Sequence, residues 1–97
     1  MRKVYENKDF IILQGGSRYS YSYILYNKKK DFKEGHTHIT NYGTARWIMR
    51  LYQKRLLPDK LRSEYLLISF LRISDDNEYS NKIKEIIEQK KSHKQLA

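Results

Sequence analysis

The chain has 97 residues, and 20 lysines and arginines against 11 aspartates and glutamates give it a formal net charge of +9. A hydrophobic share of 39% is too high for a disordered chain, so we expect one small folded domain. The absence of cysteine excludes disulfides, thiolate metal sites and cysteine nucleophiles, and it favours a cytoplasmic location. No apolar run approaches the ~20 residues of a membrane span, and we expect neither a signal peptide nor a membrane partner.

Apolar and alternating patterns predict a small antiparallel sheet of two to four strands. Residues 9–14 form a short apolar run, and within residues 17–26 the tyrosines at 19, 21 and 23 alternate with the serines at 20 and 22. The Gly-Gly pair between these two runs suits a hairpin. Further short strands are predicted at residues 4–5 and 36–39. Residues 1–39 are therefore predicted to be rich in β structure.

Helical periodicity predicts three helices within residues 40–92, followed by a frayed tail at residues 93–97. The first helix is predicted over residues 44–57, with either Thr40 or Asn41 as its N-cap. The predicted fold is thus a single α+β domain in which a small antiparallel sheet precedes three helices.

Pro58 is predicted to end the first helix and to start the second. The second helix carries apolar residues, including Leu61, in nearly every direction around its axis, which predicts a central, buried helix. The third helix is predicted to follow Ser74, with Asp75 and Glu78 forming a capping box.

The positive charge is concentrated in the first three quarters of the chain. Residues 1–34 carry eight basic and four acidic side chains, residues 35–73 carry seven and two, and residues 74–97 carry five of each. Such an excess favours a polyanionic partner, either nucleic acid or a nucleoprotein, or else an acidic surface on another protein.

Arg46, Arg50 and Lys54 recur at every fourth position of the first predicted helix. At ~100° per residue they form one basic stripe, with Trp47 at its edge. Cations beside an indole ring suit a sugar-phosphate backbone with a base stacked next to it. The alternative is a solvated helix face with Trp47 packed into the core. This stripe is the leading candidate for a binding site.

A second basic candidate is the loop that follows the tyrosine-rich strand and contains Lys28, Lys29, Lys30 and Lys33. Lysines at this density form a patch that can bind a polyanion. The same loop needs no function if its lysines are simply solvated.

Tyr19, Tyr21 and Tyr23 alternate with smaller residues and are therefore predicted to share one face of their strand. An exposed row of rings on a sheet can stack unpaired bases, as in several classes of RNA-binding module. The row can instead pack against the helices, in which case the opposite face, with Ile24, is the more solvated one.

His36 and His38 are two residues apart in a predicted strand, so their side chains are predicted to point to the same side. This spacing can hold a divalent metal ion, with Glu34 as the nearest third ligand in sequence. A nuclease would use one histidine as general base and basic side chains to bind phosphate. The alternative, which we favour, is that the pair binds no metal, hydrogen-bonds a turn and orders the entry to the first predicted helix.

Three blocks of the sequence resemble small basic proteins of low-G+C bacteria and their mobile elements. The blocks are FKEGHTHI at residues 32–39, YLLI at residues 65–68 and RISDD at residues 72–76. The chain as a whole is similar to accessory proteins of phages and integrative elements. That resemblance implies binding of DNA or RNA, or inhibition of a host defence, as by anti-CRISPR proteins.

The leading hypothesis from the sequence is a non-enzymatic accessory protein that contacts DNA or RNA through the basic helix and the lysine loop. The first alternative is an inhibitor that binds a host protein or nucleoprotein. The second alternative is a small metal-dependent nuclease that uses His36 and His38. We expect no cofactor, because the sequence contains no P-loop, nucleophile-elbow or zinc-finger motif.

Overall fold

The computed structural model describes residues 1–15 and 22–96, with side chains described up to residue 92. Its strands form one antiparallel sheet in chain order, and helices pack on one face of it. The elements are β1 (Arg2–Glu6), β2 (Phe10–Gln14), β3 (Tyr23–Asn27), α1 (Phe32–Gly35), β4 (His36–Ile39), α2 (Tyr42–Gln53), α3 (Glu64–Ile73) and α4 (Asn77–Leu96). The predicted α+β class and antiparallel sheet are confirmed. Within the described ranges, no helix is both long enough and apolar enough to cross a membrane.

The register of the sheet decides which strand residues reach the core. Phe10 and Ile12 of β2 and Leu25 of β3 point towards the helices and are almost fully buried. Ile24 and His38 lie opposite each other on β3 and β4, and they share the other face of the sheet. Ile24 is nevertheless only 6% exposed, because large side chains flank it on both neighbouring strands. The expectation that it lies on a solvated face is therefore wrong.

One helical turn, α1, lies where only a charged loop is predicted. The N–H groups of Glu34 and Gly35 donate hydrogen bonds to the carbonyl oxygen of Asp31, at 3.1 and 2.8 Å. Gly35 is buried, and a Cβ atom on it would lie 2.5 Å from the Cβ of Lys30, so this close approach requires glycine. The described residues thus form four helices instead of the predicted three, because one turn is too short to show helical periodicity.

α2 starts at one of its two predicted caps and ends earlier than predicted. The side-chain oxygen of Asn41 accepts a hydrogen bond from the N–H of Thr44 at 3.0 Å. The helix ends at Gln53 because Arg55 adopts a left-handed conformation, with φ of 56°, which a helix cannot continue. Pro58 is therefore not the residue that stops α2.

α3 begins at Glu64, with the hydroxyl of Ser63 as N-cap, and not at Pro58 as predicted. Asp59 provides the reason, since its carboxylate accepts a hydrogen bond from the N–H of Leu61 at 2.8 Å. Such a local bond competes with helix formation. Leu61 is consequently 81% exposed and does not contribute to the core.

α3 is also not buried on all sides, although its sequence predicts this. Leu67, Phe70 and Ile73 face the core and are fully buried. Tyr65 and Ile68, by contrast, are 52% and 38% exposed. One apolar side of α3 therefore faces solvent.

α4 is capped by Asp76 and not by Asp75. The carboxylate of Asp76 accepts a hydrogen bond from the N–H of Tyr79 at 3.0 Å. The carboxylate of Asp75 instead accepts hydrogen bonds from the hydroxyl of Tyr52 and the amide of Asn27, which join α2 and β3 to the start of α4. Burial opposes ionisation of Asp75, but these two donors outweigh it and hold the pKa of its carboxyl below the ordinary value.

Candidate functional site

Two lysines of the predicted binding loop are paired with carboxylates of the same protein. Lys28 lies 2.9 Å from Glu6, and Lys29 lies 3.7 Å from Asp9. Hydrogen bonds from Lys3 and Lys28 lower the pKa of the Glu6 carboxyl to about 2, so this carboxylate stays ionised at neutral pH. Lys28 and Lys29 thus each have an internal carboxylate partner, although Glu6 is shared with Lys3, and these pairs reduce the positive field that the loop presents to a partner.

The other two lysines of the loop, Lys30 and Lys33, differ in whether the side chain has a partner among the described residues. The ammonium of Lys30 donates hydrogen bonds to the carbonyl oxygens of Arg72 and Ser74, at 3.1 and 3.0 Å. These carbonyls lie at the C-terminal end of α3, where a cation also interacts favourably with the helix dipole. Lys33 on α1 is exposed, and its side chain has no partner in the part of the chain that the structure describes.

The basic stripe runs along α2 to Lys54, the C-cap of this helix, and it consists of one structural residue and two that have no acidic partner within the described ranges. The guanidinium of Arg46 lies 4.0 Å from the centre of the Tyr5 ring and donates a hydrogen bond to the hydroxyl of Tyr42 at 3.1 Å. Arg50 and Lys54 are exposed and have no acidic partner among the described residues. The stripe therefore offers two cations to a partner, and it lies beside β1, the strand that contains Tyr5.

Trp47 is half-buried and packs on the core. Its ring meets that of Phe70 edge-on, with the centres 5.5 Å apart. The guanidinium of Arg62 lies 5.0 Å from the centre of the Trp47 ring, beside an open cavity of about 260 Å³ at the start of α2. The alternative in which the indole packs into the core therefore describes Trp47 better than a free stacking platform.

The predicted tyrosine row is only partly described. Tyr19 and Tyr21 lie outside the described residues. Tyr23 on β3 is half-buried, and its ring centre lies 5.7 Å from that of Tyr42 on α2. Tyr23 therefore packs on the helical side of the sheet, in agreement with the core alternative for this residue.

His36 and His38 lie on the same face of β4, with ring centres 5.2 Å apart. The Nδ1–H of His36 donates a hydrogen bond to the carbonyl oxygen of Phe32, and the two rings stack with centres 4.4 Å apart. His36 therefore orders the turn of α1 that precedes β4, and not the start of α2. Glu34 is exposed on α1, and the described ranges contain no group of three histidine or carboxylate side chains that could hold a metal ion.

The structure brings together a set of exposed and partly exposed side chains that the sequence does not group. Phe32 is 42% exposed and begins a run of ring contacts that continues through His36 to His38. The hydroxyl of Tyr65 donates a hydrogen bond to the carbonyl oxygen of His38, and Ile68 lies one turn further along α3. We call these residues, Phe32, His36, His38, Tyr65 and Ile68, the aromatic surface.

A groove of about 290 Å³ runs between β4 and α3 within the aromatic surface. It is lined by side chains of the strand and of the helix: Thr37, His38, Tyr65, Ile68, Ser69 and Arg72. Arg72 is exposed, and its side chain has no partner among the residues described. No carboxylate is among these lining residues, so nothing in the lining opposes the positive charge that Arg72 places beside the ring of Tyr65.

Sequence reasoning does not find this surface because its two halves are about 30 residues apart and meet only through tertiary contacts. The sequence does contain one signal. Tyr65, Ile68 and Arg72 are three and seven residues apart, which places them on one side of a helix. When the apolar residues of a helix outnumber the positions on its buried face, some of them must be exposed.

Comparison of the chain with family models, curated proteins and solved structures finds no match. The features of the molecule that bear on its function are the aromatic surface and the exposed cations that have no partner among the described residues.

Proposed function

We propose that this protein binds nucleic acid without catalysing a reaction, and that the aromatic surface with Arg72 and Lys33 beside it forms the interface. The observation that carries the proposal is the run of ring contacts from Phe32 through His36 to His38, next to which the exposed Tyr65 is hydrogen-bonded to the main chain of His38. Proteins that bind unpaired DNA or RNA combine such rings, on which bases stack, with cations that meet the phosphates.

The distribution of paired and free cations supports this choice of surface. Lys28, Lys29 and Lys30 each have a partner on this protein, and Arg46 contacts two tyrosines. The lysine loop and the α2 stripe are therefore weaker candidates than their composition suggests. Arg72 is free and adjoins the exposed rings.

Fluorescence anisotropy with labelled single-stranded and duplex oligonucleotides at several salt concentrations tests the function. If the two cations of this interface, Lys33 and Arg72, each meet a phosphate, log K should fall against log salt with a slope of roughly −1.4 for a single strand and −1.8 for a duplex. Absence of binding to any of these oligonucleotides at low salt would overturn the proposal.

A pair of double variants with equal charge loss tests the position of the interface. We expect Lys33→Gln with Arg72→Gln to weaken binding at least about 10-fold, because each removes a phosphate contact. The matched control is Arg50→Gln with Lys54→Gln at the C-terminal end of α2, which should weaken binding much less. The reverse order of effects would assign the interface to the α2 stripe.

A second candidate function, inhibition of a defence nuclease by protein–protein contact, is favoured by one other observation. The connection between α2 and α3 exposes three leucines, Leu56, Leu57 and Leu61. Exposed apolar side chains of this kind mark protein interfaces. The test is DNA cleavage by an RNA-guided nuclease with and without the protein, with Leu57→Asn and Leu61→Asn as interface variants. Unchanged cleavage in the presence of the wild-type protein would contradict this candidate.

A further inference from the structure

We propose that the groove between β4 and α3 holds one unpaired nucleobase, so that the protein prefers single-stranded nucleic acid to duplex. This inference rests on the proposed function and adds the class of ligand that the groove recognises. The volume of about 290 Å³ is at the small end of ligand cavities and suits one planar ring system.

The walls of the groove are held in place before a ligand arrives. The hydroxyl of Tyr65 is fixed by its hydrogen bond to the carbonyl oxygen of His38, yet the side chain remains 52% exposed. The bond also ties α3 to the edge strand of the sheet. A ring that is fixed and exposed loses little conformational entropy when a base stacks on it.

The floor of the groove is polar but already satisfied. The hydroxyl of Thr37 donates a hydrogen bond to Oγ of Ser69 at 2.9 Å, and the hydroxyl of Ser69 donates to the carbonyl oxygen of Tyr65 at 3.1 Å. Both hydroxyl hydrogens are therefore used, and only oxygen lone pairs remain. A base can enter without leaving a buried donor unpaired, which would be costly.

The charge at the groove favours a nucleotide over an aromatic side chain of a protein. Arg72 follows Ile68 by one turn of α3, so a phosphate on the sugar of the bound nucleotide lies within reach of a guanidinium that has no partner among the described residues. No acidic residue lines the groove to oppose that phosphate. In a duplex both faces of each base are stacked inside the helix, so only an unpaired base can enter.

The experiment compares three labelled probes at one low salt concentration: a 15-nucleotide deoxythymidine strand, the same strand with internal abasic sites, and a duplex of equal length. We expect the intact strand to bind the wild-type protein at least about 5-fold more tightly than either other probe, because stacking of one base is worth about 1–3 kcal/mol. Tyr65→Ala should remove this preference while binding of the abasic strand changes little. Leu61→Ala, at an exposed apolar site elsewhere, is the matched control and should preserve the preference.

The wild-type comparison decides the proposal even if Tyr65→Ala fails to fold, and Ile68→Ser provides a second variant. Equal affinity for intact and abasic strands, or tighter binding of the duplex, would overturn the groove as a base site and leave the proposed function standing. Failure of all three probes to bind would overturn both proposals, and the groove would then fit the side chain of a protein partner better.

Discussion

The ammonium of Lys30 lies 3.1 Å from the carbonyl oxygen of Arg72, so a lysine of the predicted binding loop stabilises the end of α3. A second bond from the same ammonium reaches the carbonyl oxygen of Ser74. The two bonds join β3 and the loop after it to a helix more than 40 residues further along the chain. The loop therefore has a structural role, and its lysines are not equivalent.

Lys30→Met should lower the free energy of unfolding by about 1–2 kcal/mol, because it removes charge-assisted hydrogen bonds and a cation from a helix C-terminus. Lys33→Met, in the same loop, should change it by less than about 0.5 kcal/mol, since Lys33 has no partner among the described residues. Urea denaturation at neutral pH measures both. Equal effects of the two substitutions would contradict the structural role of Lys30.

Arg46→Ala should also destabilise the protein, by about 1–2 kcal/mol, because the guanidinium packs on the Tyr5 ring and donates to the Tyr42 hydroxyl. The double substitution Arg50→Ala with Lys54→Ala is the control, and it should leave the melting temperature nearly unchanged. Thermal unfolding followed by circular dichroism compares the two. If the double variant is destabilised and Arg46→Ala is not, then Arg46 is not the structural residue of the stripe.

Asp75 should make the stability of the protein depend on pH. Because the pKa of its carboxyl is lowered in the folded state, its contribution is present above the unfolded value of about 4 and is lost as the pH falls through the folded value. Asp75→Asn removes this contribution, so wild type and variant should differ most at pH 7 and converge towards pH 3.

Urea titrations at pH 7, 5 and 3 test the role of Asp75. Glu85→Gln on α4 is a suitable control, because Glu85 is exposed and has no ion-pair partner within the described ranges. If the difference in free energy of unfolding between wild type and Asp75→Asn stays constant with pH, the Asp75 carboxylate is not the group that makes the stability depend on pH.

His36 and His38 should differ in their effect on stability. His36→Ala loses the stacking on Phe32 and the hydrogen bond to its carbonyl oxygen, which should cost about 1–2 kcal/mol. His38→Ala should cost less than half of that, since its side chain is exposed and only its main-chain carbonyl is bonded to Tyr65. Denaturant titrations measure the free energy of unfolding of both variants. A larger decrease for His38→Ala than for His36→Ala would contradict the structural role of His36.

Local features of the fold follow from the sequence alone. The alternation of side chains places His36 and His38 on one face of β4, and this strand has its predicted bounds. The N-cap Asn41 is likewise one of two predicted positions, because capping depends only on a side chain and the N–H three residues later. Such features need no information from distant parts of the chain.

Tertiary contacts decided which cations are free and which apolar side chains are exposed. Lys30 and Arg46 carry the same charge as Lys33 and Arg50. They are less available to a partner because Arg72 lies next to Lys30, and Tyr5 next to Arg46, in the folded chain. The physical reason is that charge and hydrophobicity belong to single residues. Their availability to a partner instead depends on neighbours that come together only when distant segments pack.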